Sequence, residues 1–140
     1  MEITVETLVN APVPTVWKAW NDPEDIKQWN AASDDWHTTR SSVDLREGGR
    51  FWSRMEAKEG GEGFDFEGEY TKVVPHERIE YRIADGRSVK VDFTPVAGGT
   101  LVKETFETES ENEPEAQRLG WQTILNRFAH HVEAKAASRP

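Results

Sequence analysis

From Glu2 to Val9 polar and apolar positions alternate, with Ile3, Val5, Thr7 and Val9 on one side and Glu2, Thr4 and Glu6 on the other. That is the period of a half-buried strand. Ala11-Pro12-Val13-Pro14 breaks it. Val13, Val16, Trp17 and Trp20 then recur at helical spacing and predict a short helix with two indoles turned inward. Asn21-Asp22-Pro23 ends this helix. Asp22 is suited to cap a second one that starts at Pro23 and runs to about Gln28, with Ile26 and Trp29 facing the core.

Between Asp34 and Thr108 turn signals come at Arg46-Glu47-Gly48-Gly49, Glu59-Gly60-Gly61, Pro75-His76-Glu77, Asp85-Gly86 and Ala97-Gly98-Gly99, the punctuation of a meander of six strands. Phe64, Phe66 and Tyr70 alternate with Asp65, Glu67 and Glu69. Ile79, Tyr81 and Ile83 alternate with Arg78, Glu80 and Arg82, and Val89, Val91 and Phe93 with Lys90 and Asp92. One face of the predicted seven-stranded sheet is therefore apolar and the other charged, and the apolar face needs a cover. Glu113-Pro114 opens that cover, a helix to about Ala136 whose inward stripe is Trp121, Ile124, Leu125, Phe128 and Val132. Gly120 inside it costs about 1 kcal/mol of helix propensity against alanine. A close approach of helix to sheet is the expected reason for a glycine there. Ala136 to Pro140 is expected to fray.

Length and composition narrow the class. A chain of 140 residues suits one domain, residues 1–140, with one core. There is no cysteine, which excludes a disulfide framework, a thiol nucleophile and a thiolate metal site. The opening residues lack a basic stretch followed by an apolar one, and no apolar run approaches the roughly 20 residues of a membrane span. A soluble, cytoplasmic protein without a membrane partner is the expectation. The 17 Lys plus Arg against 26 Asp plus Glu give a net charge of −9, which repels phosphate backbones and sets nucleic acid aside as a partner. Six Trp, six Phe and two Tyr in so polar a chain need somewhere to be buried.

The order strand, two short helices, six strands, long helix is the α+β helix-grip arrangement, a curved antiparallel sheet around the C-terminal helix. Six short matches fall along it in order: Ala11-Pro12 with Val16-Trp17, Asp22-Pro23-Glu24 leading to Trp29, Asp44-Leu45-Arg46-Glu47-Gly48-Gly49, Gly68-Glu69-Tyr70 with Val74-Pro75, Gly99-Thr100, and Gly120-Trp121. On these the chain resembles, over essentially its whole length, the activator of Hsp90 ATPase homologue 1-like proteins of the START-like, polyketide-cyclase-like superfamily. The stretch from Trp29 to His37 and Phe64-Asp65-Phe66 resemble a narrower bacterial subgroup. The resemblance implies a cavity between the concave sheet face and the long helix, used across the superfamily for lipids, aromatic polyketides, hormones and drugs.

The residues point to the same place. Phe64, Phe66, Tyr70, Tyr81 and Phe93 from the sheet would meet Trp121, Leu125 and Phe128 from the helix, with Trp29 facing in from the second short helix and Trp36 and His37 at the mouth; so many rings either leave irregular space or fill it as plain core. Val102, Glu104 and Phe106 share the inward side of the last strand, which puts a carboxyl among apolar neighbours. A buried Glu104 needs a partner or a proton: it pairs with an Arg or Tyr across the sheet, the commoner outcome, or it serves a ligand as hydrogen-bonding group, acid or base. Asp34, Asp35 and His37 carry acid/base and metal-ligand types, but on a strand only Asp35 and His37 share a face, and no second histidine falls near to complete a metal site. Asp34 as a turn group and His37 as an ordinary strand residue is the plainer reading. His130 and His131 stand about 100° apart on a helix, cannot chelate one ion and read as partly exposed. The paired glycines open no helix with a following Lys-Ser/Thr, and no Gly-x-Ser-x-Gly elbow is present.

Three functions follow. Non-catalytic binding of a hydrophobic or aromatic small molecule, without cofactor or metal, fits these features best. A cyclase- or hydrolase-type enzyme would use Glu104 with Asp35, His37 or Tyr81. A chaperone-partner module is what the family's name suggests and is disfavoured. The charged convex face leaves a homodimer open only through an edge strand or the exposed Trp52 side of the third strand.

Overall fold

The computed structural model describes residues 1–137; residues 138–140, where most of the expected fraying falls, lie outside the described residues, and Ala136 is still helical. The elements are β1 (Glu2–Val9), α1 (Val13–Asn21), α2 (Pro23–Trp29), β2 (Trp36–Val43), β3 (Arg50–Ala57), β4 (Gly63–Val74), β5 (Arg78–Ile83), β6 (Ser88–Val96), β7 (Gly99–Glu107) and α3 (Pro114–Ala137). Asp22 caps α2 as its sequence suggests, its Oδ1 accepting the Glu24 N–H at 2.9 Å with Pro23 in the first turn.

The seven strands pair antiparallel in the order β1-β7-β6-β5-β4-β3-β2. The α1–α2 segment therefore carries the chain from one sheet edge to the other, and β7 returns to close against β1. Register shifts between Thr38 and Arg40 in β2 and between Tyr70 and Lys72 in β4 each advance the alternation by one residue. Such bulges bend the strand and help curl the sheet. After the second, Val73 joins Tyr70 on the core side. The convex face is charged as expected and laced by ion pairs, among them Arg78–Asp92 at 2.6 Å and Arg54–Asp65 at 3.2 Å. Trp52, expected to be exposed there, is half-buried, because its indole and the Arg54 guanidinium both bond Asp65 and hold that carboxyl below its usual range.

Helix α3 lies across the concave face against β1 and touches α1 and α2. Leu125, Phe128 and Val132 are fully buried, as their spacing predicts. A plug of rings fills this end of the core. Phe93 lies 5.2 Å from Trp17, Phe128 lies 4.9 Å from both Trp20 and Trp29, and the Trp29 indole donates to the Ala19 carbonyl at 3.1 Å. One expectation about α3 is corrected. A Cβ on Gly120 would meet nothing within 4 Å, so no close approach to the sheet explains that glycine. His130 is exposed and His131 partly so, as expected; the His131 Nε2 lies 2.8 Å from Asp25 Oδ1, which also accepts from Lys135 Nζ at 2.7 Å. Burial pushes the Asp25 carboxyl up, yet these two bonds outweigh it and hold the group below its usual range. Among the described residues no helix is long and apolar enough to cross a membrane.

Candidate ligand-binding cavity

Inward alternation on β3, β4 and β5 sets four rings side by side. The Phe51 ring lies 4.8 Å from Tyr81, 5.4 Å from Tyr70 and 5.6 Å from Phe66. Gly68, the partner of Phe51 across β3 and β4, makes this possible: a Cβ there would stand 2.9 Å from the Phe51 ring and 2.5 Å from the Arg82 carbonyl oxygen. Facing these rings, α3 presents Ile124 and Trp121, the latter stacked on Phe106 at 4.2 Å. Trp20 and Trp29 close the inner end, and a cavity of about 260 Å³ remains between the walls. An engineered apolar cavity of ~150 Å³ admits benzene, so this space suits a guest of one or two rings.

Glu104 stands in the wall, 5 % exposed, and makes no hydrogen bond or ion pair among the described residues. The expected pair with an Arg or Tyr is not formed. Arg87 reaches the wall but is bonded to Asp85 Oδ2 at 2.8 Å and to the Glu107 carbonyl at 3.3 Å. Tyr81 is near enough for Glu104 to add to the effect of burial, which drives its phenol well above its ordinary range, yet the two are not bonded. Burial pushes the Glu104 carboxyl up to about 8. At neutral pH it is a proton donor in an apolar wall, and once ionised it is an acceptor with nothing to neutralise it.

The sequence-predicted residues divide. Trp29, Phe64, Phe66, Tyr70, Tyr81, Glu104 and Trp121 line the cavity. Phe64 does so only at the rim: it is 51 % exposed, with its ring 5.6 Å from Trp36, and Trp36 itself is outside the wall. Phe93 and Phe128 are outside as well, because the ring plug takes them up, and Leu125 is fully buried in the core outside the wall. His37 is exposed, since Thr38 holds the inward position and alternation sends His37 outward, and Asp35 is exposed in the turn before β2. Asp34 Oδ1 accepts from Arg127 at 2.6 Å, which ties the segment after α2 to α3. Asp34, Asp35 and His37 thus form no joint site, and among the described residues no three His, Cys, Asp or Glu are grouped to hold a metal. Phe51, Ser53 and Met55 were missed, although the alternation of β3 would have revealed them. Val43, Asn30 and Arg87 also line the wall, but their positions follow from a bulge, a loop and a turn.

A wider groove of about 1180 Å³ opens at the far end of the sheet among Pro12, Pro14, His76 and Pro95. Of its carboxylates, Asp92 is paired with Arg78 at 2.6 Å and Glu77 is exposed, so neither is buried without a partner as Glu104 is.

The profile of the family described as activator of Hsp90 ATPase homolog 1-like protein matches residues 10–133. The chain belongs to that family. An AHSA1-like protein from Aeromonas hydrophila shares 47% identity, covering 100% of this chain and 97% of its own, with a TM-score of 0.93. A protein from Cytophaga hutchinsonii shares 42% identity over 99% and 96% of the two chains, with a TM-score of 0.82. A protein from Nitrosomonas europaea, at 19% identity over 96% of each chain and a TM-score of 0.83, shares the fold. No curated protein matches the chain. The curled sheet around a long C-terminal helix is the START-like helix-grip fold, in which small hydrophobic ligands are commonly bound.

Proposed function

We propose that the protein binds an apolar, ring-containing small molecule in the cavity between the sheet and α3, without transforming it. The observation that carries this reading is a cavity of about 260 Å³ whose aromatic walls include a carboxyl with no partner among the described residues. Taking ~200 Å² of a guest's apolar surface out of water contributes about 5 kcal/mol before the costs of association. A single polar group in such a wall orients the guest and selects it.

The raised Glu104 carboxyl favours one other reading, an acid/base enzyme working in the same space. Asp35 and His37, the partners that reading needs, are exposed and outside the cavity wall, which leaves Tyr81 beside Glu104. Hsp90 enters only through the family's description, and a pull-down that retains Hsp90 would reinstate a chaperone-partner role. Native mass spectrometry of the protein purified from its own host tests the binding reading. A reproducible non-covalent small-molecule adduct is expected; a consistently bare mass contradicts tight binding.

A further inference from the structure

We propose that the guest of this cavity is an organic cation, an apolar ring body carrying a protonated or quaternary nitrogen that lies against Glu104; the inference rests on the binding function above. Glu104 comes from the middle of β7, with Val5 of β1 and Val91 of β6 as its partners across the two neighbouring strands. Its carboxyl has no strand edge to turn to. Tyr81 from β5 stands near it, and Tyr70 from β4, Trp121 and Ile124 from α3, and Arg87 from the β5–β6 turn line the same cavity. The phenols are uncharged, and Arg87 is engaged by Asp85 and the Glu107 carbonyl. Aromatic rings and a carboxylate together are the surroundings that recognise an ammonium group.

The alternatives fit less well. An anionic guest would meet a carboxyl in the wall and a chain of net charge −9 around it. A neutral carbonyl guest needs only a hydrogen-bond donor, which a serine or threonine would supply without the cost of burying a carboxylate. A cation uses the charge. On binding, the protonated carboxyl releases its proton to solvent, and the resulting carboxylate pairs with the guest's nitrogen, so one proton leaves for each cation bound at neutral pH.

Calorimetric titration with benzyltrimethylammonium, whose charge does not titrate, and with its neutral carbon isostere neopentylbenzene tests this. At pH 8 the cation is expected to bind about tenfold or more tightly than the isostere. Glu104→Gln should remove most of that advantage. In the wild type, affinity for the cation should rise by roughly tenfold per pH unit from pH 6 toward 8 as Glu104 ionises, because no histidine lines the cavity. That pH series decides the matter even if the variant folds poorly. Equal affinity for the two compounds, or a flat pH series, overturns the cationic guest while the cavity keeps its binding role. If neither compound binds, both proposals fall.

Discussion

In the unfolded chain the Glu104 carboxyl titrates near 4.5, whereas the fold holds it at about 8. Between those values the unfolded chain gives up the proton and the folded one keeps it, so this group's contribution to stability falls as pH rises from about 4.5 to about 8 and is constant above. Glu104→Gln removes that slope. Urea denaturation should find the variant gaining on the order of 3–4 kcal/mol over wild type at pH 8, with the gain shrinking toward pH 4. A gain independent of pH would contradict the burial of an unpaired carboxyl. Asp25 has the opposite sign: its lowered range makes its stabilisation present at neutral pH and lost as pH falls through that range. Asp25→Asn should cost about 2 kcal/mol at pH 7 and much less near pH 2, again by urea denaturation. Alternation along β7 was enough to place Glu104 inward. That no partner waits there was not legible, since Arg87 could have turned to Glu104 instead of Asp85. Asp25 reads in sequence as an ordinary first-turn acid of a short helix, and its burial depends on α3 bringing His131 and Lys135 over it.

Each helix and strand was legible from period and punctuation, because an amphipathic element writes its buried face into the sequence. The bulges at Thr38/Arg40 and Tyr70/Lys72 were not, since one inserted residue leaves no mark that a turn or a change of period would explain. Nor does a helical stripe say what it meets. The first part of the α3 stripe, Trp121 and Ile124, lines a cavity, while Leu125 is closed core and Phe128 is spent in the ring plug. Two glycines test this packing from opposite directions. Gly68→Ala forces a methyl against the Arg82 carbonyl and the Phe51 ring and should lower stability by about 2–3 kcal/mol, read from the thermal midpoint. Gly120→Ala adds a methyl to open space and should raise stability by about 1 kcal/mol; a loss there would mean that the helix does approach another element.

At the scale of the whole molecule, a curled sheet closed at one end by rings and gripped by one helix leaves an aromatic-walled space where α3 faces β3, β4 and β5. Kinship pointed to that space before the structure located it, and the rings alone left filled core and open cavity equally available. The measurement that bears most directly on the binding role uses the six indoles as reporters. Trp20, Trp29 and Trp121 line the cavity, whereas Trp52 belongs to the convex face. In a titration of ¹⁵N-labelled protein with 2-naphthol, the indole N–H signals of Trp20, Trp29 and Trp121 are expected to shift and saturate together while that of Trp52 stays in place. No saturable shift in those three signals up to the solubility limit, or a shift led by Trp52, would contradict a binding cavity between the sheet and α3.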